Sequence, residues 1–278
     1  MNNTFNINRF GKLLAFDGRK YLRNFGLSLA ILCGLNLVLW ILTLIFGFTM
    51  PSLPRYMVIW FAIFLGIIMV PAKAFGDINL PSEGVGYAML PVSNLEKYLS
   101  YVLYCLMTPV LIACGSWLVD ALLTLLPLGG FEHYIRHFSF IGVMEDFIVE
   151  MSEMGDMAGD VFDESIMKFF GSAYNYAIIL SFIFNVGLFM FGNLLFKTHK
   201  TAKSLACLIG ISYVTSMIMQ IFLIAAGKSL FTNPESFSDI SSISDLTTST
   251  LMFTNILNTV LTVGLYIGLY FKLNNHKY

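Results

Sequence analysis

His133 and His137 stand four residues apart, a spacing that would set two imidazoles on one face of a helix and offer them to zinc. Glu132 adjoins the first, but Arg136 lies between them and would repel a cation, and no third ligand follows at a fixed spacing. No metal is therefore expected. The run AGKS at 226–229 has the lysine and serine of a phosphate-binding loop, yet the position five residues before Gly227, where that loop needs glycine, is Phe222. HExxH and GxSxG motifs are missing, and no pair of carboxylates falls inside an apolar stretch. The chain thus has no recognisable catalytic residues and no cofactor site, and it is not expected to be an enzyme. The carboxylates from Glu145 to Glu164 lack the DxDxDG loop that binds calcium and read as a solvated acidic face.

Polar residues at helical spacing inside apolar stretches are more suggestive. Ser212, Ser216 and Gln220 recur every four residues; Asn255, Asn258 or Thr259, and Thr262 share another face; Asn185 and Asn193 sit in a third stretch. Such stripes either line a path for a substrate or hydrogen-bond neighbouring helices, and the spacing leaves both readings open. They hold no charge, which argues against a channel for a small ion. Asp120 lies three residues after Trp117, which places it at an interface rather than mid-bilayer. Ser93 and Glu96 form S-x-x-E, a capping box in which the serine side chain accepts from the third backbone N–H and the glutamate returns to the cap N–H. Pro91 cannot continue a helix from upstream, so a helix should begin at about Ser93. Just before it, Tyr87, Met89 and Leu90 form an apolar cluster beside that rigid start. It is either a docking site for another protein or part of a loop that only sets topology.

The elements that must position these residues are membrane helices. The chain has 278 residues, 57% hydrophobic and 12% charged, with a mean hydropathy of +0.75, so its polar residues cannot cover a soluble surface. Six stretches are long and apolar enough to cross a bilayer: approximately 25–48, 57–75, 99–121, 174–196, 202–226 and 251–271. Their continuous apolar runs exclude the alternation of barrel strands, so an all-α polytopic helical bundle of six transmembrane helices is expected. The first stretch is too long for a signal peptide and lacks a cleavage site, so it reads as an anchor. Cys33, Cys105, Cys114 and Cys207 all fall inside spans and read as packing residues.

Charge sorts sharply along the chain. Arg9, Lys12, Arg19, Lys20, Arg23, Lys73, Lys97, Lys197, Lys200, Lys203, Lys272 and Lys277 fall on one side; only Arg55, Arg136, Lys168 and Lys228 fall on the other. By the preference of cations for the cytoplasm, both termini are expected inside. Residues 1–24, with Phe10, Leu13, Leu14, Tyr21 and Leu22 among the cations, read as an amphipathic cytoplasmic helix lying at the membrane surface. A tight connection makes the first two spans a hairpin, and Trp60 and Trp117 fit an outer aromatic belt. The cytoplasmic loop spans 76–98. The external loop spans 122–172, is large and amphipathic, and should be helical in part. One membrane domain, 1–278, follows. Its partners are the lipid bilayer and other proteins, with no nucleic acid.

Two segments are similar to a known group. FNINRFGKLLAFD supplies Phe5, Arg9, Phe10, Leu13 and Leu14 in the pattern F-x-x-x-R-F-x-x-L-L, and GYAMLPVSNLEKYLS supplies Leu90, Pro91, Ser93, Glu96 and Lys97 in LP-x-S-x-x-EK. Both resemble permease-like membrane proteins of Bacteroidetes-type bacteria, described as ABC-transporter permeases of the type 2 exporter class. The resemblance implies a half-transporter in the bacterial inner (cytoplasmic) membrane. It would pair with a second permease, a homodimer being the expected arrangement, and with separate ATP-binding subunits. It also implies that the loop after the second span receives the ATPase's motion, which makes Tyr87, Met89, Leu90, Ser93, Glu96 and Lys97 the partner-coupling residues. In that class the main external elaboration lies between the fifth and sixth spans, whereas here it follows the third. The competing expectation from another class is a non-transporting scaffold that recruits partners through its acidic external loop and cytoplasmic loop.

Overall fold

Asparagine at a helix start satisfies backbone N–H groups that have no partner within the helix. Asn6 does so here, its side chain accepting from the N–H groups of Asn8 and Arg9 at 3.0 and 3.4 Å, and helix α1 (Ile7–Cys33) follows. This and the other geometry come from a computed structural model that describes residues 5–79, 85–87, 89–126, 131, 164–232 and 240–274. After α1 come α2 (Leu35–Phe46), α3 (Ser52–Ala74), a 3-10 turn at Gly76–Asn79, α4 (Asn94–Thr124), α5 (Glu164–Leu195), α6 (Lys200–Thr232) and α7 (Ile240–Asn274). Among the described residues six stretches, with α1 and α2 counted as one, are long and apolar enough to cross a membrane. The protein is an all-helical, multi-pass membrane protein. Most of the external loop expected at 122–172, with His133, His137 and the acidic run after Glu145, lies outside the described residues.

The helices gather into two compact units, Met1–Lys168 with Tyr270–Tyr278, and Phe169–Leu269. In the first, α1 buries Leu13, Asp17, Tyr21, Phe25 and Leu32, a stripe at near four-residue spacing. No break separates the amphipathic segment from the apolar run that begins at Phe25. The backbone hydrogen bonding of the helix runs on to Gly34, whose N–H is shared by the carbonyls of Ala30 and Ile31. Residues 7–24 therefore form the first part of one continuous helix, and their buried face packs along α4. Gly18 makes that approach close: a Cβ there would meet the Tyr104 hydroxyl.

Cross-helix pairs fix the directions. Arg9 meets Glu96, Tyr21 meets Thr108 and Asn36 meets Asp120, so numbers rise together and α1–α2 runs parallel to α4. Arg55 meets Asp120 while Phe75 meets Tyr101, so α3 runs antiparallel between them, as the short connection after α2 predicts. Phe25, Ile67, Phe75, Tyr101 and Ile112 fill the core of this unit. In the second unit, Tyr176 pairs with Thr259 and Tyr266 donates to the Ile183 carbonyl, which sets α5 parallel to α7. Met219 meets Thr254 and Phe222 stacks on Phe253 at 4.3 Å, which sets α6 antiparallel to α7.

Candidate functional site

The capping box forms as its spacing predicts. Glu96 N–H donates to Ser93 Oγ at 3.3 Å, and Ser93 N–H donates to Glu96 Oε2 at 3.0 Å. The same carboxylate then does more than a cap requires. Oε1 accepts from the N–H of Asn6 at 2.9 Å and from Arg9 Nη2 at 2.7 Å, while Oε2 also accepts from Arg9 Nε at 2.8 Å. Glu96 is fully buried and the Arg9 side chain is 28% exposed. One negative charge thus stands at the N-terminal ends of both α1 and α4, where unsatisfied N–H groups and the helix dipoles favour an anion. The planar guanidinium closes the site with two parallel bonds.

Around this hub the predicted residues divide. Tyr87, Ser93 and Lys97 are buried, and the Lys97 ammonium lies 5.5 Å from the centre of the Tyr87 ring. Leu90 is half-buried. Met89 is 73% exposed and Val85 beside it is also exposed. Four of the six predicted coupling residues therefore build the shoulder, and Met89 is what it presents outward. The end of α7 joins the same shoulder: Asn94 Nδ2 donates to Asn274 Oδ1 at 2.8 Å, and Tyr98 meets Tyr270 edge-on. Sequence reading had both halves of the Arg9–Glu96 pair but not their union, because nothing local connects positions so far apart in the chain.

Two further polar clusters went unpredicted. Asp17 is fully buried; its Oδ2 accepts from Ser100 Oγ at 2.5 Å and its Oδ1 has no hydrogen-bond partner among the described residues. Its place among the cations from Arg9 to Arg23 conceals this, since only the four-residue stripe in which it sits marks it as inward-facing. Beside it the Tyr104 hydroxyl donates to the Leu14 carbonyl at 2.7 Å. At the opposite end of the unit, Arg55 Nη1 lies 3.3 and 3.4 Å from the two oxygens of Asp120, with both side chains 1% exposed. Asn36 Nδ2 approaches Asp120 at 3.5 Å, and the Arg55 guanidinium sits 4.4 Å from the centre of the Phe131 ring. Asp120 is near a span end as expected, but as half of a buried ion pair.

In the second unit a cavity of about 290 Å³ opens between α5, α6 and α7. Ser212 and Asn258 line it together with Ser181, Asn185 and Thr215. The other stripe residues do not join them. Ser216 and Gln220 do not line the cavity, although they are exposed on α6 as Ser212 itself is; Asn255 is half-buried, and Thr262 is buried with its hydroxyl on the Asn258 carbonyl at 2.6 Å. The reason is helical geometry: four residues turn about 400°, so a strict four-residue stripe winds off a straight face by about 40° per step. Among the described residues no group of three or more histidines, cysteines or acids could hold a metal.

Comparison with protein-family models, curated proteins and solved structures gives no match to this chain.

Proposed function

We propose that this chain is the permease subunit of an ATP-driven export system of the ABC type, without catalysis of its own. In this reading it sits in a bacterial inner membrane with both termini cytoplasmic and pairs with a second permease. A separate ATP-binding subunit docks on the segment before α4, with Met89 as the apolar contact. The observation that carries the reading is the Glu96 hub. A push on residues 87–97 reaches α4 directly through its cap and reaches α1 through the paired bonds of Arg9. Two helices are then displaced as one, which is what transmission from an external motor requires. Buried Tyr87 and Lys97 stiffen the segment, so a push there moves the helices instead of bending the loop. The resemblance of the segments around Arg9 and Glu96 to type 2 exporter permeases points the same way.

Purification of the tagged chain from its native membrane tests the docking part. The wild-type protein is expected to bring down a subunit carrying a phosphate-binding loop, and Met89→Asp is expected to lose it while folding normally. A scaffold would purify without an ATPase, and equal recovery by both forms would remove Met89 from the docking surface.

A further inference from the structure

The cavity in the second unit has a chemistry of its own. Among the described residues Asn258 and Ser212 make no side-chain hydrogen bond, and Asn185 uses only its Nδ2, in a long 3.5 Å contact to Ser181 Oγ. Thr215 turns its hydroxyl to the Ser212 carbonyl, which leaves two carboxamides and a serine hydroxyl for whatever enters. Among the described residues no charged side chain lines the space; Phe184 and aliphatic side chains complete the wall.

This inventory selects an occupant. A carboxamide offers donors and an acceptor together, and a hydroxyl offers both, so the lining matches groups that also donate and accept. An anion or cation would leave water for a space with no opposite charge, a loss its few hydrogen bonds do not offset. A purely apolar molecule would fill the volume but leave the amides without partners. The volume is at the small end of ligand pockets, which run from about 300 Å³ upward. We propose that this cavity is a binding site for a small uncharged solute carrying hydroxyl or amide groups, of the size of a single sugar. Only the statement that this solute is the exported cargo rests on the permease reading; binding by the isolated chain does not.

The test uses the full chain alone in lipid nanodiscs, without any ATP-binding subunit, so its outcome is separate from that of the permease reading. Cys33, Cys105, Cys114 and Cys207 are replaced, and Asn258→Cys and Ser212→Cys are made one at a time. Three methanethiosulfonates of matched size serve as probes: one neutral and hydroxyl-bearing, one cationic, one anionic. After correction for their rates with glutathione, the neutral reagent is expected to react about tenfold faster than either charged one at both positions. Equal rates would show an open, solvated crevice, and no reaction with any of the three would show a closed or lipid-filled gap; either result overturns the proposal. If the cysteine-free chain does not fold, Phe184→Trp in the otherwise native chain gives a second readout. Acrylamide, a neutral amide, is expected to quench the added emission at least fivefold more strongly than iodide or caesium. Equal quenching, or none, overturns the proposal.

Discussion

Replacing Arg55 by alanine removes the cation that faces Asp120 in the interior of the first unit. The two side chains are each 1% exposed, and the guanidinium spans both carboxylate oxygens at 3.3 and 3.4 Å. Asn36 stays at 3.5 Å, at the outer limit of a hydrogen bond. Breaking a buried pair by removing one partner costs about 3–5 kcal/mol, because the other charge stays in the interior. For a chain of this size that is a fall in Tm of roughly 10 °C. Asp120→Leu should cost less: the guanidinium stays 4.4 Å over the Phe131 ring and within 3.4 Å of the Pro51 carbonyl, and a desolvated cation–π contact returns about 2 kcal/mol. The double variant Arg55→Met with Asp120→Leu removes both charges and should recover most of the loss, since buried pairs replaced by apolar side chains are often neutral. Thermal unfolding in detergent, followed by tryptophan emission, reads this directly, because Trp40, Trp60 and Trp117 all lie in helices of this unit. Losses that simply add in the double variant would show that the two charges do not act as a pair.

Other perturbations separate cap, charge and packing. Ser93→Ala deletes one half of the capping box and should lower stability by about 1 kcal/mol, a Tm change of a few degrees; no change would place the cap energy entirely in Glu96. Asp17→Asn keeps an acceptor for Ser100 while removing a buried acid that, among the described residues, Lys20 influences only at a distance. It should therefore leave Tm unchanged or raise it, the opposite of Arg55→Ala, and a fall above about 5 °C would show that a buried charge is stabilised there. Gly18→Ala drives a methyl group against the Tyr104 hydroxyl and its bond to Leu14, an overpacking cost of about 1–3 kcal/mol. Gly18→Ala with Tyr104→Phe should recover part of it, and no recovery would put the strain elsewhere.

What the sequence disclosed follows the range of its signals. The capping box at Ser93 was legible because both of its bonds close within four residues, and the six spans were legible because hydropathy accumulates along one stretch. The Arg9–Glu96, Asp17–Ser100 and Arg55–Asp120 contacts join residues on different helices, and no periodicity encodes which helix faces which. Asp17 shows how counting charge misleads: an acid in a basic segment reads as solvated, although Leu13, Tyr21 and Phe25 at its own spacing mark that face as the buried one. The unbroken continuation of the amphipathic helix into the first span went unread because hydropathy reports where a bilayer begins, while backbone hydrogen bonding continues past that point until Gly34 interrupts it. Of the polar stripes, Asn185, Ser212 and Asn258 converge on the cavity, and Ser216 and Gln220 follow the helical drift away from it.

ATP hydrolysis by the reconstituted complex tests coupling most directly. With the proposed ATP-binding subunit bound, Arg9→Ala removes the paired side-chain bonds between the starts of α1 and α4, leaving only the Asn6 N–H on Glu96, and keeps exposed Met89 in place. The variant is expected to retain its subunit and to hydrolyse ATP without moving cargo. Hydrolysis that stays coupled to transport in Arg9→Ala, or a chain that purifies functional with no ATP-binding subunit at all, would contradict the account.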